Sequence, residues 1–189
     1  MKNFNLEIKH AVAALKSGQL IIFPTDTYWS LGCDANNEAA LNKLYTLKQS
    51  NSERNITCFV TDDRMLSKYV QHIPFAAKSI IEVADTPTTI IYDAPKNIAQ
   101  NLIPKDNTIA IRIPDDEFCY QLTRRFNGAI ATSIAHVEGE TIPKSFKEIA
   151  PTILKDVDYI VNLQKEKISK NAASIIQITN SNVVRVLRK

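Results

Sequence analysis

Eight short apolar or alternating runs punctuate residues 19–187: QLIIF (19–23), ITCFVT (56–61), TTIIY (88–92), TIAIRI (108–113), AIATS (129–133), DYIVNL (158–163), ASIIQIT (173–179) and VVRVL (183–187). Their length and β-branched content are those of strands. Helical patterns lie between some of them and not between others. Strict alternation would give parallel βαβ units throughout, whereas this interspersion argues an α/β fold built on a mixed sheet with flanking helices. The last two runs, joined by Asn180-Ser181-Asn182, suit a hairpin.

The helical stretches carry their own punctuation. Residues 6–17 place Ile8, Ala11, Val12 and Leu15 on one face, with Asn5 as a start signal and Gly18 as a stop. Residues 37–48 open on Asn37 and group Leu41, Leu44 and Tyr45, with Lys43 and Lys48 toward the negative end of the helix. Residues 62–70 and 74–84 suit two short helices, the second with Pro74 in its first turn. Residues 115–126 begin acidic, end basic and stop at Asn127-Gly128, and a further helix is expected near 145–155. No repeat, low-complexity tract or linker interrupts the pattern, so residues 1–189 are expected to form a single domain.

Composition removes several classes of function. The 189 residues are 44% hydrophobic and 23% charged, ordinary for a globular chain. No apolar run approaches a membrane span, and MKNFNLEIKH lacks the apolar core of a signal peptide, so a cytoplasmic location is expected. A net charge of +3 is weak support for nucleic acid and suits an anionic ligand or a solvated surface equally well. Cys33, Cys58 and Cys119 are odd in number and show no CxxC spacing, which fits reduced thiols. His10, His72 and His136 form no zinc pattern. With four glycines and no GxxxxGK[ST], GxGxxG or GxSxG, any nucleotide must be held without a Gly-rich phosphate loop.

One segment stands out: QLIIFPTDTYWSLG (19–32) sets Thr25, Asp26 and Thr27 at the end of a buried strand, where open sheets place ligands. The same three residues also make a Ser/Thr or Asx turn that merely ends the strand. Trp29 beside Tyr28 offers a surface on which a base can stack, or simple core or rim packing.

PTDTYWSLGCDA resembles the PTDTxYGLGCDA signature of the YrdC/Sua5 family, and NTIAIRIPDD its TxxxRxP segment. Further segments follow in the family's order: LYTLKQSNSERNITCFV resembles the K-x-R segment and its strand, DTPTTIIY the PGPLT strand, AIATSIAHVEG the TSANxSG loop, ASIIQI the STVVD strand and VLRK the final LRxG. The likeness covers nearly the whole chain and resembles the short single-domain branch. It implies a twisted mixed sheet with a large concave, positively lined site. It also implies synthesis of L-threonylcarbamoyladenylate from L-threonine, bicarbonate and ATP, with Mg²⁺ and release of pyrophosphate, for N6-threonylcarbamoyladenosine in tRNA. Expected partners are the three substrates, tRNA or double-stranded RNA, and a downstream threonylcarbamoyl-transferase. The resemblance assigns Thr27, Arg112 and Ser174 to threonine, and Lys48, Thr108, Ser133 and Arg188 to the nucleotide.

Two departures bear on activity. The family's K-x-R is Lys48-Gln49-Ser50 here, and its S-x-N is Ser133-Ile134-Ala135, so a guanidinium and an amide are gone. Loss of a group that stabilises transition-state charge is worth roughly 10²–10³ in rate. Ser30 also replaces a glycine of the signature, and Asn55 a proline. Arg54, a few residues beyond the missing arginine, is the candidate to reach the same phosphate and share the catalytic role with Lys48. The alternative is a catalytically impaired paralogue that binds nucleotide or double-stranded RNA.

Overall fold

The computed structural model describes residues 2–50, 52–169 and 172–189. In chain order the elements are α1 (Lys2–Lys16), β1 (Ile21–Phe23), β2 (Ser30–Asp34), α2 (Glu38–Lys48), β3 (Thr57–Phe59), α3 (Asp63–Leu66), α4 (Phe75–Val83), β4 (Thr88–Asp93), β5 (Thr108–Arg112), α5 (Glu117–Phe126), β6 (Ile130–Ile134), α6 (Pro151–Asp156), β7 (Tyr159–Ile160), β8 (Ser174–Ile178) and β9 (Val184–Arg188). The strands form one nine-stranded sheet in the order β7-β1-β2-β6-β3-β5-β4-β8-β9. Three neighbour pairs are parallel (β1/β7, β3/β5 and β4/β8) and the others antiparallel, so the sheet is mixed, as the uneven spacing of helices and strands predicts.

Side-chain alternation splits the core in two. Ile21 and Phe23 of β1 face α1 and α5, meeting Ile8, Leu15, Phe118 and Leu122. Ile22, between them, faces the larger cluster with Leu41 and Leu44 of α2 and Ile153 of α6. α1 and α5 cover only the β1 end of their face. Over β3, β5, β4 and β8 that face carries polar residues at alternate positions, and there the candidate site lies.

Local chemistry explains the boundaries. Asn37 caps α2 through a bond from the Ala40 amide, and Asp116 caps α5 from the Cys119 amide. Gln49 and Asn127 close these helices in the left-handed region. The region expected as one helix near 145–155 is a 3₁₀ turn, Phe146–Glu148, followed by α6, because Pro151 starts a new helix at its first position. The strand expected over 158–163 pairs only at Tyr159–Ile160. β2 has no counterpart among the expected strands, since SLG has the composition of a turn. It lies between β1 and β6, and Gly32 makes that possible: a Cβ there would sit 2.6 Å from the Phe23 ring.

Candidate active site

The PTDT loop between β1 and β2 is tied by its own hydroxyls. Thr25 Oγ1 donates to the Tyr28 carbonyl at 2.8 Å, accepts from the Thr27 amide at 3.1 Å and lies 3.1 Å from Thr27 Oγ1. Thr25 is thus the knot of a Ser/Thr turn and is absent from the cavity wall, while Thr27 is on it. Lys167 holds the loop from outside, donating to the Thr25 carbonyl at 2.8 Å. Asp26 meets Arg112 at the end of β5, with Arg112 Nη2 donating to Asp26 Oδ1 at 2.9 Å. The guanidinium also reaches Thr27 Oγ1 at 3.4 and 3.5 Å and stacks 4.7 Å above the Phe59 ring. Burial lowers the Arg112 pKa from its ordinary value, and Asp26 opposes that effect.

The cavity in front of this pair measures about 320 Å³. Among the described residues its wall carries four cationic side chains, Lys48, Arg54, Arg112 and Arg188, and one carboxylate, Glu138. Lys48 ends α2 fully buried and donates to the Ile134 and His136 carbonyls, both at 2.9 Å. Two of its three donors are therefore occupied by the loop after β6. Desolvation lowers its pKa to about 8, with Glu138 pulling the other way. His136 is lowered by burial and then by Lys48. The Ser50 hydroxyl, then Asn55 and Lys48, hold the Glu138 carboxyl below its ordinary range. Asn55 Nδ2 donates to Glu138 Oε1 at 2.9 Å.

Of the residues assigned by resemblance, Thr27, Lys48, Arg54, Arg112, Ser133 and Arg188 share this cavity. Arg188 pairs with Ile175 across β8 and β9, and its Nε donates to the Ala173 carbonyl at 2.9 Å. Ser133 donates to the Asn55 carbonyl at 2.9 Å. Arg54 ion-pairs with Asp106 at 2.6 Å, and Thr108 donates to the other Asp106 oxygen at 2.8 Å. Thr108 is absent from the wall and positions Arg54 through Asp106. Ser174 is also absent from the wall. Strand alternation explains why: Ile175 faces the cavity, and Ser174 takes the opposite face beside Thr88. Trp29 is buried against Phe146, with ring centroids 4.9 Å apart, and is core rather than a stacking platform.

Sequence reasoning missed Glu138, His136, Asn55, Thr57, Thr89 and Thr132 on the wall. The threonines were legible as polar residues at alternate positions of otherwise apolar strands. Among the described residues no cluster of three or more carboxylate, imidazole or thiol groups could hold a metal ion. The described residues therefore offer no protein-only cage for the magnesium that the resemblance implies. Among the described residues no helix is long and apolar enough to cross a membrane.

The Sua5/YciO/YrdC family model, described as "Telomere recombination", matches residues 13–189. A Stenotrophomonas maltophilia protein named threonylcarbamoyl-AMP synthase is 30% identical, over 83% of this chain and 86% of its own. One of the same name from Idiomarina loihiensis is 29% identical, over 93% and 95%. Among solved structures, E. coli YciO superposes with a TM-score of 0.83 at 22% identity, covering 96% of this chain and 88% of its own. P. abyssi Sua5, in a doubly substituted form, gives 0.85 at 20% identity, and the chain spans 52% of its length. With a family model matching from residue 13 to residue 189, the chain belongs to the Sua5/YciO/YrdC family.

Proposed function

We propose that the protein is an L-threonylcarbamoyladenylate synthase that condenses L-threonine, bicarbonate and ATP and releases pyrophosphate, supplying the modification of tRNA. One observation carries this reading: a buried, pre-positioned Arg112 beside Thr27 at one end of a cavity whose other walls bear Lys48, Arg54 and Arg188. A guanidinium is suited to a carboxylate, and the Thr27 hydroxyl beside it adds a second polar contact. The names of the curated relatives support the same reaction, as does a crystal structure of P. abyssi Sua5 complexed with L-threonine.

In this reading Arg112 and Thr27 hold the amino-acid carboxylate, leaving the amine directed at the cavity. The amine adds to the carbon of the bicarbonate-derived carboxyl donor, and water departs to give a carbamate. A carbamate oxygen attacks the α-phosphorus, and the bond to the bridging oxygen of pyrophosphate breaks. Such a step needs positioning and positive charge on spread oxygens more than a protein nucleophile. Lys48, Arg54 and Arg188 supply the charge. The three cysteines are buried, and burial raises each thiol's pKa, which suits them to packing rather than catalysis.

A second reading, nucleotide binding without synthesis, is favoured by position 50. The guanidinium that the resemblance places there is replaced by a Ser50 hydroxyl turned to Glu138, so one charge for the transferring phosphate is missing while Lys48, Arg54 and Arg188 remain on the wall. The deciding experiment is pyrophosphate release with ATP and bicarbonate, with and without L-threonine. Threonine-dependent release is expected. ATP binding without such release selects the second reading, and absence of ATP binding overturns both.

A further inference from the structure

The strand β7 stands at one end of the sheet and β8 is next to last at the other, so the segment 161–173 crosses from one end to the other. Where it is described, it is pinned to its surroundings. The Ser169 amide donates to the Lys144 carbonyl at 2.7 Å, and Glu166 ion-pairs with Lys147 at 3.0 Å. The segment ends at the front face of the sheet, where Ala172 and Ala173 stand on the wall of the active-site cavity. On the way Lys167 reaches the PTDT loop. Its Nζ donates to the Thr25 carbonyl at 2.8 Å and lies 3.8 Å from Asp116 Oδ2 at the start of α5. Lys167 lies outside every segment that carries the family resemblance.

Thr25 is buried and lies past the end of β1, so its carbonyl has no place in the sheet ladder, and Lys167 is the donor that satisfies it. That carbonyl belongs to the peptide joining Thr25 to Asp26, whose orientation bears on two contacts. On one side Thr25 Oγ1 lies 3.1 Å from Thr27 Oγ1, and on the other Asp26 pairs with Arg112. Without its donor the buried carbonyl must turn toward another partner, and the peptide turns with it. The second contact acts through charge. Asp116 spends Oδ1 on the Cys119 amide and faces Lys167 with Oδ2. Burial raises the Asp26 pKa, Arg112 lowers it, and Asp116 raises it again. The Lys167 ammonium beside Asp116 offsets that last repulsion and so favours the Asp26–Arg112 pair.

We propose that Lys167 is a positioning residue for the amino-acid end of the cavity, fixing the Thr25–Asp26 peptide so that Thr27 Oγ1 and the Arg112 guanidinium converge on one carboxylate. The inference rests on the synthase reading above, which assigns that carboxylate to L-threonine. Lys167 is absent from the cavity wall, so it acts through Thr25 and Asp116 rather than by contact with a ligand. The nucleotide end hangs on other partners: Lys48 on the Ile134 and His136 carbonyls, and Arg54 on Asp106. Loss of Lys167 is therefore felt at one end of the cavity and not at the other, which a general loosening of the fold would not produce.

The test is calorimetric titration of the full chain with L-threonine and, separately, with ATP, for the wild type, Lys167→Met and Lys167→Arg. Methionine keeps the aliphatic stem and removes the donor, whereas arginine keeps both a donor and the charge. Lys167→Met should weaken L-threonine roughly fivefold or more, the scale of a lost charged hydrogen bond. Lys167→Arg should stay within about twofold of the wild type, and ATP affinity should stay within about twofold in both variants. Lys167→Ala takes the place of Lys167→Met if the latter does not fold. Equal L-threonine affinity in the wild type and Lys167→Met overturns the proposal and leaves the synthase reading standing. A parallel loss of L-threonine and ATP affinity, or a loss that arginine does not restore, overturns it in the same way. Absence of L-threonine binding to the wild type overturns the synthase reading and the proposal with it.

Discussion

The charge on Lys48 is poised by its surroundings. Taken out of water at the end of α2, its ammonium loses a proton near pH 8, well below the ordinary lysine range. For a base, the charged form dominates below that pH and the neutral form above it. An anion that prefers the charged form therefore binds with full strength near pH 7. Its affinity should fall by up to about tenfold per unit as pH rises above about 8, until the pKa of the bound state is reached. Calorimetric titration of ATP between pH 6.5 and 9.5 checks this, and a flat profile would remove Lys48 from the phosphate site. Glu138 acts in the opposite sense. Its carboxylate is exposed and sits within the same field of cations, so Glu138→Gln should raise ATP affinity by roughly twofold to fivefold, the range of a screened surface charge. The gain should shrink at high salt.

At the level of elements, the two family positions that are altered here are not equivalent. Ser50 follows α2, accepts the Ser52 amide at 3.2 Å and turns its hydroxyl to Glu138. Ala135, just past β6, is fully buried in the larger core cluster, and its amide donates to the Trp29 carbonyl at 2.9 Å. Ser50 is buried too, but its hydroxyl turns to the exposed Glu138 carboxylate, so Ser50→Arg has a polar outlet and should raise pyrophosphate release by roughly tenfold or more, which needs about 1.4 kcal/mol in the transition state. Ala135→Asn places an amide among apolar neighbours and should lower stability by about 1–3 kcal/mol, read from the urea midpoint. That asymmetry was invisible in the sequence, where both positions look like simple losses. The strands and capped helices were legible because each obeys a local rule: alternation, a side-chain cap, a proline at a helix start. β2 escaped because a glycine and a turn-like SLG hide a strand whose pairing depends on Phe23, nine residues away. Arg112 and Thr27 were legible from their motifs, whereas Ser174 was misplaced because motif spacing does not say which sheet face a hydroxyl takes.

Across the whole molecule, the α1/α5 half of one sheet face is covered and serves as support, while the other half is open to the front cavity. Leu15→Ala, deep in the supported half, should cost about 2–5 kcal/mol in a denaturant melt while ATP affinity of the folded protein is unchanged. A parallel change in affinity would show that the two halves are not separable. The sheet's connectivity also governs how the cavity comes into being. Thr88 lies beside Ser174 in β4/β8, and Ile21 beside Tyr159 in β1/β7, so both flanks of the sheet are closed by residues remote in sequence. Closing such loops must precede any reward from the contacts they make, which places this topology among the slower folders. The front wall needs Ile175 and Arg188 as well as Lys48 and Arg112, and so cannot form in any partly folded species that lacks β8 and β9. Nucleotide should then accelerate refolding little and retard unfolding strongly, because it grips only the species in which the last strands have docked.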